Sequence, residues 1–259
     1  MPLHQLDDIG FMYVGIFKHY NTKLAFMYTN KKLARIAGLL YLLVIITGLF
    51  AEVFVRQTLN VPGNALATAH NIQASEMLYR LGFVADLFNF VCGLPGVLIM
   101  YFLFKQVNKY LATLAMFFVI IQTAIIAVNL LNQLSALLYL GGDQYLTSFQ
   151  PNQLAALSKH SLVLQSQGYG IGLVFFAFYC LIIGHLIFKS TLIPKIVGIL
   201  YAVTGLSYLA NSINLFLFPN LSGLLFPFFA VPAFIGELSL CLWLLIMGVK
   251  DNKQINQGI

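Results

Sequence analysis

The chain has 259 residues, of which 60% are hydrophobic and 8% charged, and its net charge is +6. Soluble domains carry about 45–50% apolar and about 25% charged residues, so so little charge cannot cover a soluble globule of this length. The soluble, disordered and fibrous classes are excluded, which leaves a polytopic membrane protein with its apolar surface in lipid.

Residues 1–26 hold Asp7, Asp8 and one short apolar run, Ile9 to Phe17, with no small-residue cleavage site, so they do not read as a signal peptide. From Met27 the chain turns into a short basic lead, Met-Tyr-Thr-Asn-Lys-Lys-Leu-Ala-Arg. Met27 is the expected natural start, and residues 1–26 an expected non-native or disordered extension. Residues 27–250 then read as a single transmembrane domain, and 251–259 as a cytoplasmic tail.

Crossing a hydrocarbon core of about 30 Å takes roughly 20 apolar residues. Six stretches qualify: Leu33 to Val55, Leu81 to Phe104, Leu111 to Leu140, Tyr169 to Phe188, Pro194 to Phe218 and Phe228 to Val249. None alternates as a membrane barrel strand would. The predicted fold is therefore all-α, a bundle of six transmembrane helices. Pro194 and Pro227 stand where first-turn prolines are tolerated, Pro219 ends the fifth span, and Pro95 is expected to kink the second. The first outer loop, Arg56 to Leu78, and the third, Gly141 to Gly168, each carry a helix-compatible stretch; the inner loops are short, so spans two and three, and four and five, form tight hairpins.

Lys and Arg set the orientation. Lys18, Lys23, Lys31, Lys32, Arg35, Lys105, Lys109, Lys189, Lys195, Lys250 and Lys253 fall on one side, and Arg56, Arg80 and Lys159 on the other. Both termini are expected in the cytoplasm. The net charge reflects this bias, and no basic stripe with interleaved aromatics suggests nucleic acid.

Ionisable and amide side chains inside spans are costly and usually face a bundle interior or a watery cavity. Here they concentrate in the outer half: Glu52 and Arg56 on span one, Arg80, Asp86 and Asn89 on span two, Asn129, Asn132 and Gln133 on span three, Asn211 and Asn214 on span five, and Glu237 on span six. Their three- and four-residue steps put each set on one helix face. They predict an outward-facing polar pocket, closed toward the cytoplasm. Glu52 with Arg56 also reads as an interfacial anchor, and the amides as plain interhelical glue. Asp86 and Glu237 are harder to dismiss, since an acid at that depth needs a partner or must give up its charge. Candidate partners for Glu237 are Asn211, Asn214, Arg80 and Arg56.

Catalytic and cofactor patterns are absent. There is no GxSxG, HExxH or P-loop. His185 is the one histidine deep in a span, and His70 and His160 are loop residues too few to argue for a metal. Cys92, Cys180 and Cys241 lie in apolar runs as packing residues. No cofactor and no metal are expected; the expected partners are membrane lipid and a small or lipid-like ligand. A faint internal echo links Ala34-Arg35-Ile36-Ala37-Gly38-Leu39-Leu40-Tyr41 to Pro194-Lys195-Ile196-Val197-Gly198-Ile199-Leu200-Tyr201. Two helix starts converging on a basic anchor, a small packing residue and an interfacial tyrosine would give the same strings.

Residues 32–41, 129–137, 192–200 and 232–250, the last containing Gly-Glu-Leu and Leu-Trp-Leu, resemble a bacterial multi-pass membrane family catalogued as a domain of unknown function, DUF4386. The resemblance covers about residues 31–250 and implies a six-span inner-membrane protein. It supplies no activity. Three readings stand: a protein that binds or moves a small or amphiphilic ligand; an intramembrane enzyme using Asp86 or Glu237 on a lipid or isoprenoid; and a structural or regulatory subunit.

The charge bias makes a direct prediction. A reporter fused after Asn252 should read cytoplasmic, and reporters inserted near Asn64 or Gln150 should read external. A cytoplasmic signal at Asn64 would reverse the orientation.

Overall fold

The computed structural model describes residues 30–250. The proposed start at Met27, the extension before it and the tail after residue 250 lie outside the described residues. Seven helices account for most of the fold. They are α1 (Asn30–Leu59), α2 (Ala65–Ala74), α3 (Glu76–Phe104), α4 (Lys109–Leu138), α5 (Pro151–Lys189), α6 (Lys195–Leu217) and α7 (Ser222–Leu242). A short 3₁₀ turn (Pro219–Leu221) leads into α7 and wide π turns (Trp243–Met247) continue it. All but α2 belong to helical stretches long and apolar enough to cross a membrane, six in total among the described residues. Among the described residues there is no strand. The chain is thus an all-α, multi-pass membrane bundle.

Three helices run further than hydropathy alone suggests. Helix α5 starts at Pro151, so the helical stretch of the third loop is continuous with span four over 39 residues. Its start is capped by Gln150 and Gln153, each side chain bonded to the other's backbone, with Pro151 in the first turn. Helix α3 starts at Glu76. The last span starts at Pro219, which places Pro227 inside a helix rather than in its first turn, together with Pro232. Membrane helices tolerate such prolines because neighbouring groups satisfy the freed carbonyls. Helix α3 likewise continues through Pro95.

The bundle has a basic end and a loop end. At the basic end lie Lys31, Lys105, Lys189, Lys195 and Lys250. There a single packed core joins all six spans, through Ala34, Phe104, Ala115, Ile183, Val197 and Leu244 among others. Backbones touch here. A Cβ added to Gly184 would lie 2.7 Å from the Gly198 carbonyl oxygen, and one on Gly198 2.8 Å from that of Gly184, so α5 and α6 cross glycine on glycine. Gly38 meets the Leu245 backbone in the same way, and Gly236 meets Thr204 and Leu200. Thr204 Oγ1, fully buried, also donates to the Ala233 carbonyl at 3.1 Å.

A smaller cluster sits at the loop end. Val55 and Leu59 of α1 pack with Ile72 of α2, Tyr79 of α3 and Ala136 and Leu137 of α4. Asn64 caps α2 by accepting from the Ala67 amide at 2.9 Å. Lys159 Nζ binds Asn60 Oδ1 and the Val61 carbonyl, tying the turn before α2 to α5. Helix α2 is thereby held as a roof over one side of the bundle.

The glycine crossing is testable. Gly184→Val forces its branched side chain into the α6 backbone, which has nowhere to go. Overpacking of this kind costs about 1–3 kcal/mol. Thermal unfolding of the detergent-solubilised protein should shift down accordingly, while Gly223→Ala, where a Cβ meets nothing within 4 Å, should leave it unchanged.

Candidate functional site

Between the two packed clusters lies a cavity of about 890 Å³. Every span contributes to its wall, and the wall is polar at two levels.

The upper level is an ion network near the loop end. Residues Phe50–Arg56 of α1 form π turns, an arrangement that often marks functional segments. The wide turn brings both Glu52 and Arg56 to the cavity. Arg56 Nε donates to Glu52 Oε2 at 2.7 Å and Arg56 Nη1 to Asp86 Oδ2 at 2.7 Å. Gln57 Nε2 donates to the other Glu52 oxygen at 3.2 Å, and the guanidinium stands 5.9 Å from the Tyr169 ring centroid. Asp86 is 7% exposed and lies behind the arginine, outside the lining. Asn89 lines the cavity one turn along α3. Its Nδ2 donates to the Val44 carbonyl at 2.7 Å, which ties α3 to α1.

The lower level is built around Glu237. Glu237 opens onto the cavity, with Tyr208 on α6 and Tyr41 on α1 beside it. Tyr41 Oη donates to Tyr201 Oη at 3.3 Å. No hydrogen bond is recorded between Glu237 and its expected partners: Arg56 is bonded to Glu52 and Asp86, Asn211 also lines the cavity, and Asn214 is buried with Nδ2 unpartnered.

Several candidates lie elsewhere. Arg80 points back along its own helix to Glu76 at 2.7 Å, with both side chains about half exposed, and does not line the cavity. It stands near the start of α3, where water rather than the bundle interior is its partner. Asn129, Asn132 and Gln133 are also off the cavity wall. Asn129 Nδ2 donates to the Gln165 carbonyl at 2.7 Å, and Asn132 Nδ2 to Asn129 Oδ1 at 2.9 Å, which fastens α4 to α5. The Gln133 carbonyl accepts from Tyr79 Oη at 2.6 Å. Its side chain, 2% exposed, approaches Asp86 but has no hydrogen-bond partner. These amides face inward because lipid offers them nothing, and what they meet is the next helix.

What the list of polar residues omits is the tyrosines. Tyr41, Tyr169, Tyr179, Tyr201 and Tyr208 all line the cavity. Their signal lies in periodicity. From Asn211, steps of three and four along α6 reach Tyr208, Thr204 and Tyr201, one continuous stripe.

Removing one side of the ion network isolates the rest. Arg56→Leu leaves Asp86 buried and unpaired, which costs on the order of 3 kcal/mol. The double variant Arg56→Leu/Asp86→Leu should recover much of that loss in thermal unfolding. A double variant no more stable than the single one would show that the pair contributes no coupling.

Comparison with known proteins is consistent with this architecture. No curated protein and no solved structure matches the chain. Residues 36–248 match the family described as "Domain of unknown function (DUF4386)". That stretch takes in both polar levels of the cavity and all six spans, and the chain belongs to this family.

Proposed function

We propose that the protein resides in a bacterial inner membrane with its basic end in the cytoplasm, and that its cavity binds or moves a small or amphiphilic ligand taken from the opposite side. The observation that carries this reading is the distribution of packing. The basic end is closed by backbone contacts and a packed core, and a cavity of about 890 Å³, within the size range of small-molecule sites, runs from the edge of that core at Ala37 and Leu244 to Leu59 and Asn60 at the loop end. The wall suits an amphiphile, with mostly apolar surface and polar side chains set into it.

The seam between α1 and α7 supports entry toward the loop end. Among the described residues the hydrogen bonds between these helices are all at the basic end: Arg35 Nη2 donates to the Ile246 carbonyl at 3.1 Å and Cys241 Sγ to that of Gly38 at 3.5 Å. Toward the loop end, Leu49 and Val53 of α1 and Phe226 and Phe234 of α7 both line the cavity and stay exposed. A chain of apolar atoms could pass between them from the bilayer.

Mass spectrometry of the protein extracted from native membranes without detergent exchange should show one copurifying amphiphile near stoichiometric amounts. Gly93→Phe should lower its occupancy without unfolding the protein, because a Cβ at this lining position meets nothing nearer than Val44 Cγ2 at 3.8 Å. Occupancy equal in the two proteins, or no bound molecule in either, would remove the reading.

A further inference from the structure

The lower level of the cavity is an aromatic cage closed by one carboxylate. The rings run in unbroken contact. Tyr41 meets Tyr201 edge-on with centroids 6.5 Å apart, and Tyr201 meets Tyr179 edge-on at 6.3 Å. Tyr179 stacks with Phe176 at 5.6 Å, and Phe176 meets Tyr208 at 5.6 Å. The two ends of this run, Tyr41 and Tyr208, stand beside Glu237. The five rings come from α1, α5 and α6 and the acid from α7, and all six side chains line the cavity.

The charge of the cage is unbalanced. Among the described residues Arg56 is the one Lys, Arg or His in the cavity wall, and Glu52 and Asp86 already hold it. None of the described residues leaves a cationic side chain for Glu237. The neighbouring phenols can ease the cost of a carboxylate there but do not neutralise it. Aromatic rings carry negative faces that attract cations and repel anions, most strongly where water is excluded. A metal ion is a poor fit, because no group of three or more His, Cys, Asp or Glu side chains converges among the described residues. The walls are rings and aliphatic chains, which suit a large cation with an apolar skin.

We propose that the cage takes an organic cation, a lipophilic amine or quaternary ammonium, with Glu237 as its counter-ion and Tyr41, Phe176 and Tyr208 as its wall, backed by the buried rings of Tyr179 and Tyr201. This names the ligand class of the cavity and rests on the reading that the cavity binds a ligand at all. The positive head sits at the Glu237 level, and its apolar part extends up toward the seam between α1 and α7. The bound cation supplies the charge that the wall lacks.

The test uses the full-length protein in lipid nanodiscs, with two probes of nearly equal size and opposite charge, tetraphenylphosphonium and tetraphenylborate. Binding is counted only where it saturates and exceeds that of protein-free nanodiscs. The cation should bind, and the borate should bind at least about tenfold more weakly. Glu237→Gln should weaken the cation at least about tenfold with little change in thermal unfolding, while Phe176→Leu, which shortens the wall without touching the charge, weakens it less. Borate binding as tight as the cation's, or cation affinity unchanged in Glu237→Gln, overturns the proposal. Wild-type selectivity decides the matter even if the variant fails to fold. A neutral lipid that copurifies, while the phosphonium shows no specific binding, sinks the cation proposal and leaves the ligand-binding cavity standing. If neither a copurifying molecule nor the phosphonium binds, both fall.

Discussion

Helices in lipid gain little from burying apolar surface against one another, because the alternative is a solvent equally apolar. They must be held by close packing and by polar contacts, and this protein concentrates its closest packing at one end. Gly38, Gly184, Gly198 and Gly236 bring backbones together there, each at a point where any side chain would strike a neighbouring main chain. Gly48, Gly93, Gly96 and Gly223 behave in the opposite way. All four line the cavity, and a Cβ on any of them meets nothing closer than 3.4 Å. One residue type thus serves two purposes, drawing helices together at some crossings and leaving room along the cavity at others.

The same division explains the two polar levels. At the upper level, one guanidinium is hydrogen-bonded to two carboxylates, so each acid there has a cationic partner. The Glu52–Arg56–Asp86 set joins α1 to α3 with ideal distances and some exposure, so its groups keep water as a further partner. At the lower level the acid stands among rings. A low-dielectric surrounding magnifies every unbalanced charge, so the lower level is where the approach of a charged group changes the energy most. The upper network is a structural joint that lines a cavity, whereas Glu237 has no cationic partner among the described residues.

The spans were legible because each is a long apolar run, and their number and helical character follow from composition and length alone. Their starts were less so. Pro219 opens a helix in a stretch that reads as loop, and the helical stretches expected in the two outer loops lead into spans that begin earlier than expected, at Glu76 and Pro151, since hydropathy measures what lipid tolerates and not where hydrogen bonding begins. Among the pocket candidates, depth and periodicity singled out Glu52, Arg56, Asn89, Asn211 and Glu237, which line the cavity, and equally Asn129, Asn132 and Gln133, which do not. A polar face on a span must point inward, but a neighbouring helix satisfies an amide as well as a cavity does, and a sequence does not say which it meets. Arg80 erred through depth, since a residue one turn from the helix start finds water instead. The tyrosines went unlisted because they do not count as costly in a membrane, although they occupy the same helix faces as the amides that did.

The internal echo gains a physical meaning from the fold. Its two strings each place a glycine three residues before a tyrosine, Gly38 before Tyr41 and Gly198 before Tyr201. On a helix, positions three apart lie on one face, about one turn along. In both strings the glycine seats its helix against a neighbouring backbone, Gly38 on α7 and Gly198 on α5. In both the tyrosine one turn higher enters the cavity, and there the two meet, ring edge to ring face, with hydroxyls 3.3 Å apart. An interfacial tyrosine would sit among headgroups with its hydroxyl in water. Tyr201, 1% exposed, has no such access. The close approach of the glycines is what brings the next turn near enough for the hydroxyls to touch. The recurring string therefore works as a spacer, bringing Tyr41 and Tyr201 together in the cavity wall one turn above the clamp.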